Sequence, residues 1–120
     1  MRTKLVALAF AGLTLVLAQA IPAQAAVVVK AGYGSPCTLR FKPAGITIHR
    51  GTKDVRRDVC FSHTVTAYSR NWSKNVALTS GQTTSKIFRT KGVFKYRCRY
   101  HSTLTSGVCS GMCGKVTVTA

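Results

Sequence analysis

Hydrophobic and polar residues alternate in short bursts along most of this chain, and sustained helical periodicity is missing after residue 25. Ala26 to Lys30 is a β-branched run closed by Gly32-Tyr33-Gly34-Ser35-Pro36, a strand followed by a turn. Phe41-Lys42-Pro43-Ala44-Gly45 reads as a second turn region, and Ile46-Thr47-Ile48-His49 as a strand with His49 on its polar side. In Asp54 to Val59 the alternation puts Val55, Arg57 and Val59 on one face. An arginine then points where a core residue is expected, which calls for a bulged edge strand or a snorkelling side chain. His63 to Ala67 resumes the pattern, with His63, Val65 and Ala67 on one face. Tyr68 to Ser80 is polar and loop-like, Ser85 to Thr90 is a strand, and Lys91-Gly92 turns the chain.

The pattern is sharpest near the end. Val93 to Cys98 places Phe94, Tyr96 and Cys98 on one face, with Lys95, Arg97 and Arg99 on the other. Lys115 to Thr119 alternates cleanly as a last strand. About seven short strands separated by turn signals predict an all-β sandwich in a single domain.

The first 25 residues do not belong to that pattern. Arg2 and Lys4 precede an apolar run from Leu5 to Leu17, and Pro22-Ala23-Gln24-Ala25 ends in small residues, the layout of a cleaved export signal. The expected division is a signal peptide over 1–25 and a domain over 26–120, with the mature chain periplasmic or extracellular and free of a transmembrane span. Export implies an oxidising compartment in which disulfides persist. The five cysteines are Cys37, Cys60, Cys98, Cys109 and Cys113. Four can pair in three ways and one is left over. Cys98 is the natural one to stay free, because it alone stands at ligand spacing from a histidine, His101.

Charge narrows the function. The formal net charge is +16, and loss of the leader removes only two basic residues, against Asp54 and Asp58 as the sole acids. Such a field favours anionic partners: an acidic protein or an anionic envelope surface. Nucleic acid is a poor partner for an exported chain. Without glutamate and with two aspartates, paired-carboxylate hydrolysis and carboxylate-built hard-cation sites are excluded in practice. Asn71-Trp72-Ser73 matches a glycosylation acceptor, a triplet common by chance. What remains as candidate chemistry is His63, Cys98, His101 and Met112. Two imidazoles, a thiolate and a weak thioether form the trigonal-plus-axial donor set of an electron-transfer copper site.

The order of these pieces resembles the cupredoxins, the small plastocyanin- and azurin-like copper proteins. The matching text is Phe41-x-Pro43, Ile46-Thr47-Ile48-x-x-Gly51-Thr52, His63-Thr64-Val65, Ser80-Gly81-Gln82-Thr83, Phe88-x-x-x-Gly92-x-Phe94-x-Tyr96-x-Cys98-x-x-His101 and Gly111-Met112-x-Gly114-Lys115-Val116-Thr117-Val118. The resemblance implies a Greek-key sandwich holding one copper ion through His63, Cys98, His101 and Met112. It implies a monomeric carrier of single electrons, not an enzyme, with His101 as the partly exposed ligand. The basic stripe Lys95, Arg97 and Arg99, on the strand leading into the site, points to a redox partner protein acidic at its docking site. Copper delivery by the same ligands, or copper-free binding to anionic surfaces, are the rival functions. The stretch from Ser102 to Gly111 is longer than the family's usual loop and brings Cys109 and Cys113 to either side of Met112. The expected disulfides are Cys37–Cys60 and Cys109–Cys113.

Overall fold

A computed structural model describes residues 9–18 and 25–120. Most of the proposed leader lies outside these residues. Its described part, 9–18, carries no helix or strand and exposes Phe10, Leu13 and Val16. Among the described residues no helix is long and apolar enough to cross a membrane.

The described residues form nine strands and no helix. They are β1 (Val27–Tyr33), β2 (Thr38–Lys42), β3 (Gly45–His49), β4 (Lys53–Asp58), β5 (Ser62–Ala67), β6 (Asn75–Thr79), β7 (Thr83–Ile87), β8 (Gly92–Thr105) and β9 (Val108–Thr119). One sheet has the order β2-β1-β4-β7 and the other β3-β9-β8-β5-β6. The chain passes repeatedly from sheet to sheet, and the pairs β1–β4 and β3–β9 are parallel while the rest are antiparallel. This is the all-β sandwich that the alternation predicts, with two strands more than expected. The additions are β2 and β6, each at a sheet edge and each fully burying only one residue, Phe41 and Leu78. An edge strand with one buried side chain leaves little periodic signal to read.

Between the sheets lie Val29, Ala31, Phe41, Val65, Phe88, Phe94, Tyr96, Val116 and Val118, all at most 4 % exposed. Along β8, Phe94, Tyr96 and Cys98 point inward and Lys95 and Arg99 outward, as the sequence indicates. Trp72 packs its ring against Phe88 and Phe94 at centroid distances of 5.4 and 6.2 Å, closing one side of this core. The two disulfides are Cys37–Cys60 and Cys109–Cys113, and Cys98 is the free cysteine. By the loop-closure argument the first, spanning 23 residues, contributes on the order of 3 kcal/mol, and the second, spanning four, about 2 kcal/mol.

Strand β4 runs opposite to expectation. Its inward residues are Asp54, Arg56 and Asp58, while Arg57 faces solvent and Val59, just past the strand, is 38 % exposed. Neither a bulge nor a snorkelling Arg57 is needed. Asp54 and Arg56 lie two residues apart on one face, so they meet as a buried ion pair at 2.6 Å. The Arg56 guanidinium also lies 4.4 Å from the centre of the Tyr96 ring, where the aromatic face favours a cation. Mutual compensation of charge lets this face turn inward. Burial still outweighs Arg56 and raises the Asp54 carboxyl to about 6.

Asp58 has no such partner. It is fully buried, and neither carboxylate oxygen has a hydrogen bond of good geometry. Burial pushes its pKa up to about 6 from 3.8, and the nearby amides of His63 and Cys60 oppose the rise only in part. The folded state therefore holds this proton more tightly than the unfolded chain between about pH 4 and 6. The Asp58 contribution to stability grows as pH falls through 6 and is lost as pH rises above it. In urea denaturation of the metal-free protein, wild type should gain stability relative to Asp58→Asn between pH 7 and pH 4. A difference between the two that does not change with pH would contradict this.

Candidate metal centre

Three adjacent strands supply the candidate ligands. β8 lies between β5 and β9, and His63 comes from β5, Cys98 and His101 from β8, and Met112 from β9. In a regular strand, residues three apart point to opposite faces, so Cys98 and His101 could not share a site. The β8–β9 register removes that obstacle. Arg97 pairs with Cys113 and Ser102 with Gly111, so the four residues 98–101 stand against Met112 alone. The surplus on β8 forms a bulge, and it swings His101 back beside Cys98. Ser102 closes this bulge by donating its hydroxyl to the Cys98 carbonyl and accepting from Arg97 at 3.2 Å.

The result is a triangle of donors. His63 Nδ1 is 3.1 Å from His101 Nδ1, and Cys98 Sγ is 3.8 and 3.5 Å from these two nitrogens. A trigonal ion with bonds of about 2.0 Å to nitrogen and 2.3 Å to sulfur needs sides of roughly 3.5 to 3.7 Å. The three residues fit a metal ion without rearrangement of the fold. His63 and Cys98 are completely buried, and His101 is half-buried at the surface. Met112 is completely buried opposite the bulge. His49 lies apart from this group, exposed, with its Nδ1 2.9 Å from the Ala120 carbonyl.

Neighbouring groups set the ligand states. His63 Nε2 lies 2.7 Å from the Cys60 carbonyl, which can only accept, so the proton sits on Nε2 and the Nδ1 lone pair faces the site. The Thr64 amide donates to Cys98 Sγ at 3.3 Å and fixes the position of the sulfur. Where the β5–β8 backbone ladder gives out, Thr64 Oγ1 accepts from the Arg99 amide at 2.8 Å and keeps the two strands in place. Burial holds the His63 imidazole below the usual histidine range. Burial and then the neighbouring His63 do the same for His101. Both rings are thereby kept neutral near pH 7, the form in which they ligate.

Soft sulfur beside imidazole is the donor set that suits copper. No protein-family model matches this chain, and no curated protein matches it either. Solved structures do. The crystal structure of amicyanin from Paracoccus versutus is 23 % identical at a TM-score of 0.61, over 82 % of this chain and 85 % of that one. The fold is that of the cupredoxins. A purple cupredoxin from Nitrosopumilus maritimus is 19 % identical at a TM-score of 0.58, over 77 % of this chain and 98 % of its own. A copper-containing nitrite reductase from Thermus scotoductus is 18 % identical at a TM-score of 0.60, and this chain corresponds to only 25 % of its length. The cupredoxin fold thus occurs among these neighbours both as a whole protein and as a part of a larger one.

Sequence reasoning named the four candidate ligands but missed what holds them. Thr64 stands in the His63-Thr64-Val65 match without its bonds being legible there, and Ser102 and the Cys60 carbonyl carry no signature, because hydroxyls, amides and carbonyls recur throughout the chain. Gly32 was also missed. Its φ is +73°, and a Cβ there would lie 2.8 Å from His63 Nε2 and 2.9 Å from Cys60 Sγ. Gly32→Ala should therefore destabilise the domain by about 1–3 kcal/mol. It should also lower metal affinity roughly tenfold by displacing the ring from the Cys60 carbonyl. Unchanged denaturation and titration curves would contradict both statements.

Proposed function

We propose that the protein is an exported type 1 copper protein that carries single electrons between larger redox partners. The observation that carries this reading is the convergence of the two Nδ1 atoms and the Cys98 sulfur within 3.8 Å of one another. Copper, when bound, supplies a one-electron Cu(I)/Cu(II) couple. His63, Cys98 and His101 would hold it, with Met112 as the weaker fourth ligand. These side chains are set on three hydrogen-bonded strands, so they need not reorganise when the charge of the ion changes. The Thr64 amide holds the Cys98 sulfur, the Cys60 carbonyl orients His63, and burial of His63, Cys98 and Met112 excludes water. His101, half-buried at the surface, is the route by which the electron enters and leaves.

We read the protein as a carrier and not an enzyme, because the converging donors make a site for a one-electron couple. The two disulfides support export to an oxidising space. The partner is a protein with an acidic docking face, because the outward Arg99 and half-buried Arg97 flank the site in a strongly cationic chain. Encounter should accordingly slow as ionic strength rises.

Titration of the mature domain with Cu(II) should reach one ion per chain and give an intense visible thiolate-to-copper band with narrow hyperfine splitting. Cys98→Ser should abolish the band. A pale, ordinary copper spectrum would favour storage or delivery of copper over electron transfer, and no stoichiometric binding would remove the copper reading.

A further inference from the structure

The long stretch after His101 is not a loop. Residues 102–105 and 108–111 form a hairpin arm in which Ser102, Thr103, Leu104 and Thr105 pair only with Gly111, Ser110, Cys109 and Val108. The arm extends β8 and β9 beyond the rest of their sheet, and among the described residues no third strand pairs with it. Cys109 belongs to this arm, whereas Cys113 pairs with Arg97 in the body of the sheet. Their Cα atoms are 6.2 Å apart, although four residue steps of extended strand span about 13 Å. The chain must double back between them, and Met112 lies inside that bend. Gly111, with φ +98°, makes the bend possible, since a Cβ there would come 2.5 Å from the His101 carbonyl.

A cross-link over four residues restrains the unfolded chain less than Cys37–Cys60 does, and the rest of its effect is local. What it restrains is the angle between arm and body, and the side chain at that joint is the completely buried Met112. We propose that the Cys109–Cys113 disulfide is a positioning element of the metal centre, clamping the bend in β9 so that Met112 is held in the site as its fourth donor. This rests on the copper reading given above. The clamp explains how a cupredoxin fold tolerates an inserted arm between His101 and Met112. Additional chain would otherwise give the thioether, the weakest of the four donors, freedom to leave.

The test uses a thermodynamic cycle on the copper-loaded mature domain. Wild type, Cys109→Ala/Cys113→Ala, Met112→Leu and the triple variant are compared by visible spectrum, electron paramagnetic resonance and reduction potential. Alanine avoids presenting new thiols to the metal. Both the disulfide variant and Met112→Leu should shift the spectrum and potential from wild type, and Met112→Leu should add nothing once the disulfide is gone. Wild-type spectra in the disulfide variant, or a full Met112→Leu shift in its absence, would overturn the clamp.

A second readout needs no copper. Met112 is the only methionine besides Met1, so its ε-methyl resonance is identifiable in the metal-free mature domain. That resonance should be dispersed in wild type and move towards the random-coil position when the disulfide is removed. An unmoved resonance overturns the proposal. If wild type binds no copper, the copper reading fails by itself while the methyl resonance still decides the clamp. Should the alanine variant not fold, partial reduction of the folded wild type by a dithiol gives the same comparison, provided mass analysis shows Cys109 and Cys113 alkylated with Cys37–Cys60 intact and Cys98 unmodified.

Discussion

Four residues of β8 opposed to one residue of β9 is the constraint on which the site depends. A pleated strand presents alternate side chains to opposite faces, and Cys98 and His101 are separated by three positions. A bulge brings both to one point without breaking the sheet on either side. The strand remains paired at Arg97 and again at Ser102, so the bulge is held at both ends and its shape is not free to drift. The same mismatch leaves Met112 of β9 opposite the bulge in register, with its side chain completely buried.

Around that irregularity the protein spends its polar groups on orientation. The Thr64 amide, released from a backbone ladder that stops at Thr66 and Arg97, is directed at the Cys98 sulfur. The Cys60 carbonyl fixes the His63 tautomer, and the Cys37–Cys60 disulfide anchors the short turn that presents this carbonyl. Gly32 leaves the room these groups require. Each disulfide thus braces one flank of the donor cluster, the first beside His63 and the second beside Met112. In a small domain, cross-links placed there contribute to stability and also reduce the motion of the ligands.

Much of this was legible in the sequence, for identifiable reasons. Thiol, imidazole and thioether side chains are scarce, so Cys98, His101, Met112 and His63 stand out without any structural knowledge. The inward set Phe94, Tyr96 and Cys98 follows from a strand buried on one face. Strand β4 defeated the same rule because hydrophobicity is a proxy for burial, and Asp54 and Arg56 are buried as a pair. Strands β2 and β6 lie at edges, where one fully buried residue each gives too short a pattern. The stretch 102–111 looked like a loop because an arm exposed on both faces has no apolar side to alternate. The backbone bonds that hold the ligands are invisible in principle, since no side chain announces them.

On the copper reading, one sulfur and two imidazoles already stand where the ion needs them in both of its charge states. X-ray absorption at the copper edge, recorded on the Cu(II) and dithionite-reduced Cu(I) forms of the mature domain, tests it most directly. One short sulfur bond and two nitrogen bonds should be present in both forms, with the same ligand count and little change in length. A copper shell without short sulfur, or loss of an imidazole on reduction, would contradict the account.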